Sequence, residues 1–294
     1  MQRWFVYCLL AVVFWGAWAV IPKKLGMLSG SQQQALSTVG LIPILLALAL
    51  SKSVRAEQKK LRGCVIAVVA GVASGLGNLA YYAAMGEGGS KASVLAPLTA
   101  LYPVLVVVLA MLFLRERPSP PQFAGIALAL ASIYTFNPIE SARDLSQLAG
   151  GATAFAAIGL WAVSGTLQKV AADTVSGKLA TLCFLGAFIP LAGFLAAREE
   201  RQWSFSLETW LWLTLLGLTF GLGNLLYLAA CSAGAKASVA APLSGLYPLV
   251  AVPLAVIFFG ETIGPREGAG IALATLAVVG LSVERKPVAK DSLP

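Results

Sequence analysis

One segment of this chain occurs twice, and any fold assigned to the chain has to account for that repetition. The stretch from Gly71 to Ala129 returns, after a deletion of one residue, as the stretch from Gly217 to Ala274. The residues of the first stretch that recur include Gly71, Gly75, Gly77, Asn78, Leu79, Tyr81, Lys91, Ala92, Ser93, Val94, Ala96, Pro97, Leu101, Tyr102, Pro103 and Glu116. Chance does not produce this density of identities, so the chain is one structural unit used two times. We place the boundary near Gly150, which divides the chain into units 1–150 and 151–294.

The composition places both units in a lipid bilayer. Hydrophobic residues make up 58% of the chain and charged residues 12%, which is too little polar surface to cover a water-soluble globule of 294 residues. The apolar runs do not alternate with polar residues, as barrel strands would, so they predict helices of about 20 residues. The predicted spans are 4–21, 34–51, 63–84, 92–114, 122–138, 151–168, 179–197, 209–232, 238–259 and 267–284.

Five spans in each unit is an odd number, so the second unit begins on the opposite side of the membrane from the first. The predicted fold is therefore an all-α membrane protein with ten transmembrane helices, built as two inverted five-helix repeats. Most of the 21 Lys and Arg residues fall on the side that holds both chain termini, which predicts cytoplasmic termini in the cytoplasmic membrane. A cleaved signal peptide over 1–21 is rejected, because Trp161 opens the second unit as Trp15 opens the first.

Several classes of function lack the residues that they need. The chain has no histidine, and its four cysteines lie singly in apolar runs, so we predict no metal ion and no other cofactor. All 13 acidic residues fall in loops or at span ends, which leaves no carboxylate in the middle of the membrane for catalysis or proton relay. The net charge of +8 is scattered between apolar runs and does not indicate nucleic-acid binding. The chain is therefore predicted not to be an enzyme.

The third and eighth spans carry a repeated polar face. Gly71, Gly75, Asn78 and Tyr82 share one face of the third span, with Tyr81 one position away. The eighth span repeats the face through Gly217, Gly221 and Asn224, with Tyr227 in the place of Tyr81. Helix packing is the favoured interpretation of the glycines. For the two asparagines, an interhelical hydrogen bond and a substrate contact both remain open.

Paired prolines interrupt the fourth and ninth spans. Each of them removes a backbone hydrogen bond and frees the carbonyl four residues earlier. The prolines are Pro97, Pro103, Pro242 and Pro248, and the freed carbonyls belong to Ser93, Thr99, Ser238 and Ser244. Unpaired carbonyls beside hydroxyls are tolerated in a membrane where they line a wet cavity or are buried in protein, and a plain packed kink is an equal alternative. Tyr102 and Tyr247 place an aromatic ring with a polar tip before the second proline of each pair.

The first and sixth spans and the loops hold the remaining candidates. A role as membrane anchors is the favoured interpretation of Trp15 and Trp161, but they lie deeper than interfacial tryptophans, so stacking on a substrate is the alternative. Gln168 shares a helix face with Trp161. Four lysines near span ends can carry charge in a vestibule, although ordinary flanking charge is the favoured interpretation. These lysines are Lys23, Lys91, Lys169 and Lys236.

The motifs resemble the EamA-type branch of the drug/metabolite transporter superfamily. The opening Phe14-Trp15-Gly16 is similar to the first signature of that branch, and Lys91 through Arg115-Glu116-Arg117 is similar to its most recognisable motif. The second unit matches that motif again from Lys236, including Gly260-Glu261. The resemblance implies ten helices in two inverted repeats around a central cavity framed by helices 1, 3, 4, 6, 8 and 9.

From these patterns we expect a secondary transporter that moves a small polar, amino acid-like metabolite by alternating access, with export favoured. No GxxxxGK[ST] motif is present, so ATP is not expected to drive transport. The alternatives are a sugar or organic-anion uniporter or exchanger, and a lipid flippase. Expected partners are the small-molecule substrate and the bilayer, with the chain a monomer or homodimer. The candidates for the central cavity are Trp15, Asn78, Tyr81, Tyr82, Ser93, Thr99, Tyr102, Trp161, Gln168, Asn224, Tyr227, Ser238, Ser244 and Tyr247.

Overall fold

The computed structural model describes residues 3–58, 60–86, 90–116, 119–136, 149–198 and 204–283, and the regular secondary structure in these ranges is helical. Ten helical segments, labelled α1 to α10, occupy the described ranges, and a short helix at Lys52–Ala56 follows α2. The segments are α1 Arg3–Lys24, α2 Gly30–Leu50, α3 Leu61–Gly86, α4 Ala92–Phe113, α5 Pro120–Phe136, α6 Ala149–Ala172, α7 Gly177–Arg198, α8 Leu207–Ser232, α9 Ala237–Phe259 and α10 Pro265–Ser282.

Eight of these segments, among the residues described, are long and apolar enough to cross a membrane. The two outside this set are α5, with 17 residues, and α10, with 18. The predicted helical, membrane-spanning fold is therefore confirmed for eight spans, while the count of ten crossings stays a prediction. The residues that end the predicted spans 122–138 and 267–284 lie partly outside the described ranges.

The outer surface of the bundle is strongly apolar. Ile257 is 74% exposed, Phe113 is 73% exposed and Leu112 is 69% exposed, although each is a large hydrophobic residue. Water would make such a surface costly, because roughly 25 cal/mol is lost for each Å² of apolar area left exposed. Lipid tails make the same surface favourable, so the chain is a multi-pass membrane protein.

Four segments are broken near their middle. A 3₁₀ turn at Thr38–Leu41 interrupts α2, and α7 breaks at Ala187. The half-helices of α4 are Ala92–Thr99 and Tyr102–Phe113, and those of α9 are Ala237–Ser244 and Pro248–Phe259. Pro103 is the second residue of the second half of α4 and Pro248 is the first residue of the second half of α9, and neither has an N–H to continue the preceding helix. Pro97 and Pro242 lie inside the first half-helices, which continue past them.

The two units pack crosswise. Helix α1 runs along α8, and the equivalent helix α6 runs along α3. The first half of α4 contacts the second half of α9, and the first half of α9 contacts the second half of α4, so these two helices are antiparallel. Helix α5 packs against α10. Every one of these pairs joins a helix of the first unit to a helix of the second.

Glycines allow the closest of the helix contacts. A Cβ atom at Gly217 of α8 would collide with the carbonyl oxygen of Ser37 in α2. At the repeated position, a Cβ atom at Gly71 of α3 would collide with the carbonyl oxygen of Phe184 in α7. In both places the obstacle is backbone, which cannot rotate away as a side chain can. These contacts agree with the helix-packing interpretation of the repeated glycines.

Candidate functional site

A cavity lies between the two units, at the level where α4 and α9 are broken. Its empty space is about 450 Å³ with its open side included, and the centres of water-sized molecules can occupy about 50 Å³ of it. One water needs roughly 10–15 Å³ by that second measure, so the cavity admits several waters or part of a small solute. Its lining residues are Trp15, Trp18, Ser74, Asn78, Tyr102, Trp161, Ser164, Gly165, Gln168, Phe220, Asn224, Tyr227 and Tyr247. None of these residues carries a charge, and seven of them are aromatic.

Asn78 holds the indole of Trp161. The indole Nε1 of Trp161 donates a hydrogen bond of 3.1 Å to the Oδ1 atom of buried Asn78. The ring lies against Gly77, where a Cβ atom would come within 3.0 Å of the indole nitrogen. The ring centroids of Trp18 and Trp161 are 5.6 Å apart at an interplanar angle of 65°. The repeated Gly-Asn pair of α3 therefore positions an aromatic wall of the cavity.

The second unit builds a matching wall with a different hydrogen bond. Gly223 of α8 lies against the indole of Trp15 as Gly77 lies against Trp161. The rings of Trp15 and Tyr227 are 5.6 Å apart at an interplanar angle of 37°. The Nδ2 atom of Asn224, however, donates a hydrogen bond of 2.9 Å to the carbonyl of Phe220 rather than contacting an indole. The amide of Asn224 is thus oriented along its own helix.

Two buried polar atoms on the cavity wall have no hydrogen-bond partner. They are the Oε1 atom of Gln168, a residue 4% exposed, and the hydroxyl of Tyr227, a residue 1% exposed. The Nε2 atom of Gln168 donates to the Ser164 hydroxyl at 3.3 Å, and the Tyr227 hydroxyl faces the weakly polar thiol of Cys231. A buried unsatisfied polar group costs about 1–3 kcal/mol. A solute with N–H or O–H donors would relieve that cost.

Tyr81 and Tyr82, which were predicted to line the cavity, lie behind the lining residues instead. The hydroxyl of Tyr81 donates to the carbonyl of Ala19 at 2.7 Å, and its ring stacks on Trp18 with 5.1 Å between centroids. The hydroxyl of Tyr82 accepts a hydrogen bond of 2.9 Å from the indole of Trp18. Both tyrosines therefore act on the cavity by orienting Trp18.

The four predicted hydroxyl residues of α4 and α9 also lie outside the lining. Thr99 makes a 2.9 Å hydrogen bond to the hydroxyl of Tyr247. The carbonyl of Ser238, which Pro242 frees, accepts 2.8 Å from the Nε2 atom of Gln122. Ser93 and Ser244 are fully buried. At Ser238 the protein itself satisfies the freed carbonyl, which favours the packed-kink alternative there.

The predicted residues that the structure brings together at the cavity come from six helices, α1, α3, α4, α6, α8 and α9. They are Trp15, Asn78, Tyr102, Trp161, Gln168, Asn224, Tyr227 and Tyr247. Five lining residues lie outside the predicted set. One is Gly165, and the other four form two repeat-related pairs, Trp18 with Ser164 and Ser74 with Phe220. A search for identities between the units misses these pairs, because their members differ. Helical spacing would have found them, since Trp18 follows Trp15 by three positions and Ser74 precedes Asn78 by four.

Glutamates from each unit cap a helix of the other. The carboxylate of Glu261 accepts hydrogen bonds from the backbone N–H groups of Ala92 at 2.9 Å and Ser93 at 2.8 Å, at the start of α4. The carboxylate of Glu116 accepts the equivalent bonds from Ala237 at 3.2 Å and Ser238 at 3.0 Å, at the start of α9. Each carboxylate satisfies two free N–H groups and complements the positive end of a helix dipole.

The predicted vestibule lysines lie outside the cavity lining, and three of them form ion pairs. Lys23 pairs with Glu261, Lys91 pairs with Glu267 at 2.8 Å, and Lys169 pairs with Asp173 at 2.6 Å. Lys236 occupies the N-cap position of α9.

The cap formed by Glu261 predicts a loss of stability in acid. Burial alone raises the pKa of Glu261, but Lys23, Ser93 and the Ala92 N–H outweigh it and hold that pKa below the ordinary value of 4.5. Below pH 4.5 the unfolded chain binds a proton that the folded chain does not, so stability falls as the pH drops. Thermal unfolding followed from about pH 6 down to about pH 3 measures this slope.

Glu261→Gln should flatten that dependence, and Glu208→Gln serves as the control. Glu208 also pairs with a lysine, Lys24, at 3.5 Å, but its side chain is 69% exposed. We expect the control to keep the wild-type slope, because an exposed ion pair contributes little. A Glu261→Gln variant with an unchanged slope would contradict the assignment of the cap.

The model of the EamA-like transporter family matches residues 2–137 and 148–283 of this chain. The chain belongs to that family. EamA-like proteins form part of the drug/metabolite transporter superfamily, so this protein is a membrane transporter and not an enzyme. The match covers the chain in two consecutive copies, as the internal repeat predicted.

Two further proteins are similar to this chain. An uncharacterised protein of Methanocaldococcus jannaschii, MJ1333.1, is 31% identical over 126 residues, which are 42% of this EamA-like chain and 89% of that protein. A protein known from a crystal structure superposes with a TM-score of 0.68 at 17% identity, over 94% of this chain and 95% of the other. At that identity the superposition shows a shared fold.

Proposed function

We propose that this EamA-like transporter is a secondary transporter that exports a small polar, amino acid-like metabolite by alternating access. The observation that carries the proposal is the uncharged, aromatic cavity between the two units, together with its unpartnered polar atoms. A pocket of this kind suits a solute of metabolite size, since binding sites are mostly apolar with a few placed polar groups.

The mechanism follows if the units 1–150 and 151–294 are inverted repeats. The antiparallel contact of α4 with α9 and the crosswise pairs α1–α8 and α3–α6 support that arrangement. Two inverted bundles can tilt against each other and open the site between them to either side in turn. The breaks in α4 and α9 lie beside the cavity, where half-helices can change angle. In this proposal both termini lie in the cytoplasm.

The lining favours a neutral or zwitterionic solute over an organic anion. No Lys or Arg is among the lining residues, and a net charge buried without a partner would be costly. Trp15, Trp161 and Tyr227 offer flat apolar faces, while Asn78 and Asn224 offer amide groups. A sugar also stacks on aromatic rings, so sugars form the second class to be tested.

Purified protein in liposomes tests the proposal directly. Radiolabelled amino acids, sugars and organic anions are offered one at a time, with and without a pH gradient, against protein-free liposomes. We expect saturable counterflow of one or more amino acid-like solutes and none of the organic anions. Movement of anions or of lipid headgroups alone would overturn the substrate class, and movement of no solute would overturn the proposed function.

The prolines inside the first half-helices should set the rate of interconversion. Pro97→Ala or Pro242→Ala restores an N–H group and a possible backbone hydrogen bond, which stiffens the half-helix beside the cavity. We expect turnover to fall about tenfold with little change in KM, which corresponds to ~1.4 kcal/mol on the barrier. Pro253→Ala, at an exposed position inside α9, is the control and should keep wild-type turnover. Equal turnover in all three variants would contradict the hinge role.

A further inference from the structure

The cavity has two ends that can be compared position by position, because each unit contributes the same residue types. We name them the Lys23 end, where α1 finishes, and the Lys169 end, where α6 finishes. At the Lys23 end three contacts join neighbouring helices. Lys23 pairs with Glu261, the Tyr81 hydroxyl donates to the Ala19 carbonyl at 2.7 Å, and the Tyr247 hydroxyl lies 2.9 Å from the Thr99 hydroxyl.

None of the three equivalent contacts is made at the Lys169 end. Lys169, the repeat counterpart of Lys23, pairs with Asp173 on its own helix at 2.6 Å instead of reaching the equivalent glutamate, Glu116. Tyr227, the counterpart of Tyr81, lies near Gly165 but leaves its hydroxyl without a partner. Ser244, the counterpart of Thr99, faces the Cys8 thiol and also lacks a hydrogen-bond partner.

The difference between the ends is one of conformation, because the groups needed for each contact are present at both. Lysine, glutamate and both tyrosines are identical between the units, and serine replaces threonine with its hydroxyl retained. The Tyr227 contact needs a backbone carbonyl, which Gly165 supplies as Ala19 does. A Cβ atom at Gly165 would lie 3.7 Å from the Tyr227 hydroxyl, so that hydroxyl is already next to the residue whose carbonyl it would bind.

The shape of the cavity agrees with this comparison. On α6 the lining continues from Trp161 through Ser164 and Gly165 to Gln168, one residue before Lys169. On α1 the lining stops at Trp18 and does not continue toward Lys23. The cavity therefore extends toward the Lys169 end, where the contacts are absent, and stops short of the Lys23 end, where they are present.

We propose that these residues are two alternating sets of gate contacts. This inference rests on the proposed alternating access. When the Lys169 end closes, the three contacts at the Lys23 end break and three equivalent contacts form at the Lys169 end. In that second state Lys169 binds Glu116, the Tyr227 hydroxyl donates to the Gly165 carbonyl, and Tyr102 binds Ser244 as Tyr247 binds Thr99 now. One set forms as the other breaks, which keeps the two states close in free energy. A pair of states can be biased only by contacts that differ between them.

Matched lysine variants test the inference, because removing equivalent lysines should shift the equilibrium in opposite directions. Lys23→Met weakens the present state, and Lys169→Met weakens the opposite state. Access to the cavity is measured as the labelling rate of a cysteine introduced by Ser164→Cys. The four native cysteines of that chain are replaced by alanine. A membrane-impermeant methanethiosulfonate is applied to intact cells and, separately, to inverted vesicles. Lys24→Met is the control, since Lys24 makes an exposed ion pair at the Lys23 end.

We expect the two variants to change the labelling rate by roughly fivefold in opposite senses, with the sense reversed between the two preparations. The control should label like the wild type. Shifts in the same sense, or no shift in either variant, would overturn the gate assignment.

The tyrosine pair keeps the test decisive if a lysine variant fails to reach the membrane. Tyr81→Phe and Tyr227→Phe each remove one hydroxyl, and we expect the same opposed shifts. Liposome transport separates this inference from the proposed function. If the protein transports solute but the variants leave the labelling rate unchanged, only the gate assignment is wrong. If the variants shift the labelling rate in opposite senses but no offered solute is transported, the proposed transport cycle is wrong and the two conformations are still supported.

Discussion

The combined substitution Asn78→Leu and Asn224→Leu is expected to abolish transport while the protein still inserts in the membrane. Both amides are buried on the cavity wall, and Asn78 holds the Trp161 indole by a 3.1 Å hydrogen bond. Leucine fills a similar volume but leaves that indole N–H unpaired and removes two polar contacts from any bound solute. At about 1–3 kcal/mol for each lost polar partner, transport should fall roughly a hundredfold or more. Counterflow in liposomes measures the loss.

The single variants give an internal control for that result. Asn78→Leu should also change the fluorescence of the cavity tryptophans, because it frees Trp161, whereas Asn224 bonds the Phe220 carbonyl and its replacement should leave Trp15 in place. Size-exclusion profiles in detergent establish that both variants are folded. Wild-type counterflow by the folded double variant would defeat the assignment of the site.

Gly217→Ala is expected to be among the most destabilising small substitutions in the chain. The added Cβ atom would meet the carbonyl oxygen of Ser37, and the contacting atoms of Gly40 on the same helix are also backbone. Because these obstructing atoms are backbone atoms, no side-chain rotation can relieve the collision, and α2 and α8 must move apart where they are packed most closely. We expect a loss of more than about 2 kcal/mol, read as a lower midpoint of thermal unfolding in detergent.

Gly159→Ala on α6 is the matched control for this prediction. No atom lies within 4 Å of the position that its Cβ would occupy, so the change should be neutral or slightly stabilising, because alanine favours helix more than glycine does. The equivalent substitution Gly71→Ala should resemble Gly217→Ala, since its Cβ meets the Phe184 carbonyl. Equal unfolding midpoints for Gly217→Ala and Gly159→Ala would show that the helices are free to separate.

Much of the candidate site could be predicted from the sequence because the repeat marks equivalent positions in the two units. The sequence predicts Trp15 from its depth in the span, Asn78 from helical spacing and Tyr102 from its place before a proline. Their counterparts Trp161, Asn224 and Tyr247 follow from the repeat. All six line the cavity. The breaks before Pro103 and Pro248 were predicted for a local reason, since proline lacks the N–H that a continuing helix uses.

Other features depended on contacts between residues far apart in the chain. The sequence places Glu116 and Glu261 at span ends, and the structure shows that each caps a helix of the opposite unit. For the carbonyl of Ser238 a wet cavity and a packed kink were equal alternatives, and the hydrogen bond from Gln122 favours the packed kink. Spacing along one helix shows which residues share a face, and it does not show which neighbouring helix that face meets.

By itself the sequence determined a duplicated helical bundle in the membrane, because hydropathy and repetition are properties of the residues read in order. Only the tertiary structure decided that Tyr81 is bonded while its repeat counterpart Tyr227 is not. The two residues have nearly identical neighbours in sequence, so their difference arises from how distant helices pack around them. That packing is a balance among contacts between residues far apart in the chain, and no single stretch of the chain encodes it.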